Sequence, residues 1–253
     1  MQRKVFKFKE LRKKMGLNLE FLNRMEKVRR GEHIYVRAKY GPSNPIKMPT
    51  RLNKDLACLV GIIIGDGTLR KDKQRIVIEL TDRKLLESVN KLIKKTFEKD
   101  VKIHERKDRR PNRKLKYYLS INNAAIYDLM NLTFKIPKGK KSEIVTTPDI
   151  IMNSSKKIKK SYILGIMATD GGKRWWKNVG FSSSSKGLRD TVSNLLREIN
   201  VEHKLDEWTY KRYKKQYYGL YFKRENLAPL KRECRSGQTG WILKSFMKKI
   251  QKA

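Results

Sequence analysis

Two apolar stretches of this sequence end in the same way, and this repetition constrains the fold more than any other feature. LVGIIIGDG spans residues 59–67 and ILGIMATDG spans residues 163–171, so Asp66 and Asp170 each close an apolar run. A long repeat within one chain predicts two similar units related by a pseudo-twofold axis.

The spacing of apolar residues predicts the same order of elements in both units. A helix over Lys54–Ile64, with Asn53 as its N-cap, begins the first unit, and a helix over Lys157–Thr169 begins the second. The predicted strands cover 68–70, 74–80, 101–106, 114–121, 173–176, 178–184, 201–209 and 216–223. We therefore predict an α+β fold of tandem α-β-β-α-β-β-α repeats. Its two antiparallel sheets are saddle-shaped, and the two repeated helices pack together at their interface.

The repeat also predicts how the chain is divided. Residues 51–150 form the first half and residues 151–253 the second. Residues 1–50 are predicted to be a helical extension and linker, because Val5–Lys14 and Leu17–Arg29 carry helical patterns and the Pro-rich stretch GPSNPIKMPTR follows at 41–51.

The charge of the chain limits its partners. It carries 62 Lys and Arg against 25 Asp and Glu, a net charge of +37, which favours a polyanionic partner. Nucleic acid is the first interpretation, ahead of a ribosome-associated role or an anionic membrane surface. No apolar run reaches the roughly 18 residues of a membrane span. With two cysteines and no export signal at the N-terminus, we expect a cytoplasmic protein associated with the nucleoid.

Small residues on both repeated helices predict that the helices touch. Gly61 and Gly65 stand four residues apart on the first helix, as Gly165 and Thr169 do on the second. Small residues at this spacing let two backbones approach closely. The alternative is that these are two core helices with Asp-Gly turns, which explains the glycines but not the aspartates.

The two aspartates predict a metal site at the shared helix end. A carboxylate at a helix C-terminus faces the negative end of the helix dipole, and Asp66 and Asp170 would also repel each other. Divalent cations would relieve both penalties. Carboxylates, together with the carbonyls of Gly65 and Thr169, are oxygen ligands suited to Mg²⁺.

The predicted sheets offer a surface for binding a DNA duplex. Each has one apolar face and one face rich in Lys, Arg, Ser and Tyr, and a basic curved sheet can lie along a DNA groove. The hairpin tips at Arg106–Lys114 and Tyr210–Lys215 would reach flanking phosphates. The predicted DNA-binding residues are Arg70, Arg75, Glu79, Arg109, Arg110, Lys114, Lys116, Tyr118, Arg174, Ser182, Ser184, Lys211, Arg212, Tyr217, Tyr221 and Lys223.

Residues 48–250 resemble a known family, the single-chain LAGLIDADG homing endonucleases of the archaeal, intron-encoded type. The two nonamers match the signature motifs of that family. The flanking stretches MPTRLNKDLACLVGIIIGDGTL and VGFSSSSKGLRDTVSNLLREINV resemble the first-motif entry and the second-half strand and helix.

The resemblance implies a monomeric nuclease that cuts both strands of a long, asymmetric double-stranded DNA target and so promotes intron or intein mobility. It implies two or three Mg²⁺ ions, replaceable by Mn²⁺, held by Asp66, Asp170 and the preceding carbonyls. By the same resemblance, Lys173 matches a basic residue just after the second motif, and Lys138 falls near the place where members of the family carry another catalytic lysine. Because the chain begins with Met1 and lacks splicing-block residues, an intron is the favoured source.

Two departures from the family pattern weaken the first half. Glu79 stands where relatives often have Gln or Lys, and Leu69 stands where the second half has Lys173. The alternatives to a nuclease are an RNA maturase, with intron RNA as partner, and a DNA-binding regulator derived from a nuclease. Both aspartates are present, which favours the nuclease.

Overall fold

The predicted order of elements occurs twice in the computed structural model, which describes residues 17, 20–30, 33–38, 44–107, 114–174, 177–211, 214–233 and 237–252. Before the repeats come a 3₁₀ turn (Glu20–Arg24) and the strands β1 (Met25–Arg30), β2 (His33–Ala38) and β3 (Ile46–Met48). The first repeat consists of α1 (Lys54–Asp66), β4 (Gly67–Leu69), β5 (Arg75–Leu80), α2 (Arg83–Phe97), β6 (Ile103–Arg106), β7 (Lys116–Asn122), α3 (Ala124–Asp128) and a π-helical turn (Leu129–Thr133).

A linker with one short helix, α4 (Asp149–Met152), leads to the second repeat. Its elements are α5 (Lys156–Thr169), β8 (Gly171–Lys173), β9 (Asn178–Ser183), α6 (Lys186–Glu198), β10 (Lys204–Tyr210), β11 (Lys215–Lys223), a 3₁₀ turn (Arg224–Leu227), α7 (Ala228–Glu233) and α8 (Gly237–Lys252). The α+β prediction with two repeats is therefore confirmed. The strand predicted at 173–176 was misplaced, because β8 starts directly after Asp170 and residues 175–176 lie outside the described part of the chain.

Each repeat builds one four-stranded antiparallel sheet, in the order β4-β5-β7-β6 and β10-β11-β9-β8. Alternate residues face the core, as Ile76, Ile78 and Leu80 do in β5. The residues between them form what we call the open face of the sheet. The amphipathic helix α2 covers the core face of the first sheet, and Asp82 caps this helix by accepting from the Leu85 N–H at 3.1 Å.

Helices α1 and α5 pack against each other through their backbones. A Cβ atom on Gly61 would lie 2.3 Å from the Tyr162 carbonyl oxygen, and one on Gly165 would lie 2.2 Å from the Cys58 carbonyl oxygen. Real side chains do not tolerate such distances, so the predicted role of both glycines at the helix interface is confirmed. The Asn53 cap is also present, with the Leu56 N–H donating to its Oδ1 at 2.9 Å.

The helical prediction for Leu17–Arg29 was wrong. Beyond the 3₁₀ turn, the chain enters a three-stranded antiparallel sheet, β1-β2-β3. The reason is an alternation over β2, where buried Ile34 and Val36 lie between more exposed neighbours. These buried residues join the main hydrophobic core, and Tyr35 donates to Glu98 at the end of α2. The pattern at Val5–Lys14 lies outside the described residues.

Within the described residues, no helix is both long and apolar enough to cross a membrane.

Candidate active site

The two aspartates lie at one shared end of the crossed helices. Asp66 is the last residue of α1, and Asp170 directly follows α5. A Cβ atom on Gly65 would lie 2.1 Å from the Thr169 Oγ1 and 3.4 Å from Asp170 Oδ2. The close packing that the glycines allow therefore brings both motif ends together, as the sequence predicted.

Burial raises the pKa values of both carboxyls. The pKa of Asp170 rises from 3.8 to about 7, first because the group is desolvated and second because Asp66 is near. Desolvation also raises the pKa of Asp66, while Lys249, Lys141 and Lys116 oppose that shift. A pair of dehydrated, like-charged carboxylates is a site that favours a bound cation.

Two lysines reach the same helix ends. The Lys141 ammonium donates to the carbonyl oxygens of Ile64 and Gly65, at 2.5 and 2.7 Å. The Lys249 ammonium donates to the carbonyl oxygen of Thr169 at 2.7 Å. Each predicted carbonyl ligand therefore contacts one ammonium group, and the arrangement is repeated in both halves.

Partial dehydration lowers the pKa of both ammonium groups. For Lys141 and Lys249 alike, desolvation is the largest cause, and the charges of Asp66 and Asp170 oppose it. The site is therefore two carboxylates facing two lysines, with little water to screen their charges.

The sequence predicted a different lysine. The Nζ atom of Lys138 lies 5.6 Å from the centroid of the Tyr127 ring, and Lys138 is not among the charges that act on either aspartate. The backbone of this segment bonds to β4, with the Gly139 N–H donating to the Leu69 carbonyl oxygen. That anchor directs Lys141, three residues after Lys138, to the end of α1.

No local pattern marks Lys141 or Lys249. Lys141 lies in a linker and Lys249 in a helix with many lysines, so only the repeated topology identifies them. Lys173 ends β8 three residues after Asp170 and is exposed, and its catalytic role stays a prediction.

A groove of about 860 Å³ runs from Asp66 along the open face of the first sheet. Of the predicted DNA-binding residues, it contains Arg70, Arg75, Glu79, Lys116 and Tyr118. The Nε of Arg75 is buried, and within the described residues it has no hydrogen-bond partner.

Other predicted contacts share the open face of the second sheet. The strand register places Ser182, Tyr217, Tyr221 and Lys223 on the face opposite the buried residues of β9 and β11. Arg174 directly follows β8 and lies over the ring of Trp208 in β10.

The remaining predicted DNA-binding residues are divided between hairpins and linker. Lys114 and Lys211 are exposed beside the hairpin tips, whereas Arg109, Arg110 and Arg212 lie outside the described residues. The Ser184 hydroxyl donates to the Ser142 carbonyl oxygen, which ties β9 to the linker.

The donors at the helix ends fit a hard divalent cation. In the described part of the chain, no group of three or more His, Cys, Asp and Glu side chains is placed to hold a metal ion. Asp66 and Asp170 would thus need further oxygens, and the carbonyls of Gly65 and Thr169 are the nearest in sequence. An all-oxygen set of this kind suits Mg²⁺ or Mn²⁺ rather than a thiolate-binding metal.

A family model, described as a LAGLIDADG-like domain, matches the chain twice, over residues 53–130 and 157–235. Together these matches cover more than half of the chain, and each includes one motif helix.

Two curated proteins of Methanocaldococcus jannaschii contain a similar stretch. The replication factor C small subunit is 32% identical over 171 residues, which are 66% of this chain and 9% of that protein. The probable translation initiation factor IF-2 is 27% identical over 186 residues, which are 71% of this chain and 15% of that protein. The chain thus spans a small part of both relatives.

Solved structures share the fold. I-DmoI in complex with DNA and Ca is 18% identical, covers 73% of this chain and 91% of its own, and has a TM-score of 0.51. Full-length DUF199/WhiA from Thermatoga maritima is 12% identical, covers 77% of this chain and 60% of its own, and also has a TM-score of 0.51.

Proposed function

Because the chain belongs to the LAGLIDADG-like domain family, we propose that it is a site-specific endonuclease that cuts both strands of double-stranded DNA. One observation carries the proposal: Asp66 and Asp170 come together at the shared helix end, and Asp66 lies in a groove that also contains Arg70, Arg75, Arg106 and Lys116.

Asp66 and Asp170 would hold two or three divalent cations, Mg²⁺ or Mn²⁺, with help from the carbonyls of Gly65 and Thr169. When bound, such ions supply activation of water and neutralisation of charge on a phosphodiester. Lys141 and Lys249 donate to those two carbonyls, so both ammonium groups lie beside the proposed cation site. Their positive charge there would help to stabilise the charge that develops on the phosphate in the transition state.

The open faces of both sheets would hold the duplex against this site. The net charge of +37 provides the phosphate contacts, which are the main source of affinity for DNA. Both aspartates come from one chain, so a monomer is sufficient for cutting both strands. The two halves differ in sequence, so the target is expected to be asymmetric.

The curated relatives support a role in mobility. Their names place one in replication and the other in translation, and this chain matches 9% and 15% of their lengths. A segment shared by two otherwise unrelated proteins is expected of a sequence that inserts into new hosts. We therefore propose that the nuclease promotes mobility of the intron or intein that encodes it, in an archaeal host, and acts on DNA in the cytoplasm.

The fold alone does not distinguish a nuclease from a protein that only binds nucleic acid. Two outcomes would favour the other candidates: DNA binding without cutting would indicate a regulator, and preference for the host intron RNA would indicate a maturase.

Incubation of the full-length chain with Mg²⁺ and a plasmid carrying the uninterrupted allele of its host gene tests the proposal. We expect one double-strand cut, lost in Asp66→Asn and Asp170→Asn while DNA binding persists. Asp72→Asn is the matched control, because Asp72 is an exposed carboxylate paired with Arg70. Cutting by both motif variants at the wild-type rate would refute the assignment.

A further inference from the structure

The strand register aligns the two sheets residue by residue. Ile78 lies between Gly67 and Leu119 in the first sheet, and Phe181 occupies the same place in the second. Counting outward from these two residues identifies equivalent positions on the two open faces.

At one set of equivalent positions, the first sheet carries an ion cluster. The Lys116 ammonium donates to Glu79 at 2.7 Å, and an Arg106 nitrogen donates to the other oxygen of Glu79 at 3.3 Å. All three side chains line the groove that contains Asp66. Their charged groups are placed to exchange these bonds for bonds with base edges.

The same positions of the second sheet carry Ser182, Tyr217 and Trp208. The rings of Trp208 and Tyr217 are nearly parallel, with centroids 6.0 Å apart and an interplanar angle of 14°. Arg174 lies over the Trp208 ring at 5.5 Å, and Lys215 lies over the Tyr217 ring at 5.9 Å. We call Arg174, Trp208, Tyr217 and Lys215 the aromatic ladder.

A glycine makes room for this ladder. A Cβ atom on Gly219 would lie 2.8 Å from Cζ3 of Trp208, so the ring leans over the backbone of β11. The equivalent residue of the first sheet is Tyr118, which instead stacks on His104 at 5.2 Å. The Trp208 indole therefore covers the position of Gly219 on the second open face, whereas the side chain of Tyr118 covers the equivalent position on the first.

We propose, on the basis of the nuclease function above, that the two halves read their half-sites by different chemistry. The first half reads base edges by hydrogen bonds through Glu79, Lys116 and Arg106. The second half reads by apolar contact, with the rings of the aromatic ladder against thymine methyl groups and its two cations against the adjacent phosphates.

The groups that base pairs present in the major groove allow the base composition of each half of the target to be predicted. Lys and Arg donate to the O6 and N7 of guanine, and Glu accepts from the N4 of cytosine, so the ion cluster selects G·C pairs. Thymine is the base that offers a methyl group in the major groove, so the aromatic ladder selects A·T pairs. The target is therefore expected to have one G·C-selective and one A·T-selective half at matching distances from its centre.

The test is selection of binding sites from randomised duplexes by the full-length chain in EDTA, so that bound DNA is not cut. We expect Lys116→Ala to relax the preference on one side of the centre, and Trp208→Ala to relax it on the other. Trp241→Ala is the matched control, because Trp241 is an exposed tryptophan of α8 flanked by Lys91 and Lys244 rather than a residue of either sheet. This variant is expected to select the wild-type sequence.

A second measurement needs no variant. Replacing thymine by uracil removes one methyl group per base, and each contacted methyl is expected to contribute about fourfold in affinity. The loss should occur in the half that Trp208→Ala relaxes and not in the half that Lys116→Ala relaxes.

The outcomes separate this inference from the proposed function. Failure to enrich any sequence would refute site-specific DNA binding itself. An enriched site without thymine at the Trp208 positions, relaxation of the same half by both variants, no effect of uracil, or tighter binding to single strands would refute the division of labour. Each of these results would leave the nuclease assignment intact.

Discussion

Asp170→Asn should stabilise the metal-free protein, and the gain should grow with pH. The pKa of this carboxyl is about 7 in the folded chain against an ordinary 3.8. The folded state therefore binds the proton more tightly than the unfolded state does. Stability is lost as the pH rises from about 4 to about 7, and the full penalty applies above that range.

The size of the effect follows from the same two values. A tenfold difference in proton affinity corresponds to about 1.4 kcal/mol. The ionised Asp170 then costs the folded state about 2 kcal/mol at pH 5 and about 4 kcal/mol at pH 8, as upper values. Asparagine has nearly the same shape and no charge. The stability advantage of Asp170→Asn over wild type should therefore grow by about 2–3 kcal/mol between these pH values.

Urea unfolding in EDTA at a series of pH values measures the difference. Adding Mg²⁺ at pH 8 should then raise the midpoint of the wild type and raise that of Asp170→Asn much less, because one metal ligand is gone. The matched control is Asp72→Asn. The pKa of Asp72 is lowered, mainly by its hydrogen bond from Arg70, so this variant should gain no stability as the pH rises. A wild type and an Asp170→Asn variant with parallel pH profiles would show that Asp170 is not a buried, repelled carboxyl.

Three further predictions concern the helix crossing, the lysines and the charge. Gly61→Ala should lower the free energy of unfolding by about 1–3 kcal/mol or more, because its Cβ would meet the Tyr162 carbonyl. Gly172→Ala, which meets nothing within 4 Å, should cost much less, and equal losses in urea unfolding would contradict the crossing. Lys141→Met and Lys249→Met should each slow cutting about 100-fold. In a plasmid-nicking assay, each variant should slow the cutting of a different DNA strand. Unchanged nicking rates would show that neither lysine takes part in the reaction. DNA affinity should fall about 1,000-fold or more between 50 and 200 mM salt, and a binding titration with no such slope would refute a phosphate-dominated interface.

The parts of the fold that the sequence predicted are those with local causes. The motif helices, their glycines and the Asn53 cap depend on neighbouring residues, and all of them occur where predicted. The first open face followed from strict alternation over β5 and β7, which is also a local signal.

The parts that the sequence missed depend on distant contacts. The three-stranded N-terminal sheet has short strands whose alternation competes with a helical pattern, and its partners on α2 lie far along the chain. Lys141 reaches α1 because the backbone of its linker bonds to β4. No sequence pattern within a few residues of Lys141 predicts its contact with α1.

In each half of the chain, a lysine that follows the strands contacts the end of the motif helix of that half. This arrangement has a consequence for incomplete chains. Lys141 lies in the linker after the last strand and helix of the first repeat, and Lys249 lies near the end of α8, the last element of the second repeat. A product that stops before Lys249 would hold both aspartates and both open faces but one of the two ammonium groups. Such a product would therefore be expected to bind its target tightly but to cut the two DNA strands at unequal rates. Under the nuclease function proposed above, we expect a truncated copy to bind its target and to nick it rather than cut both strands.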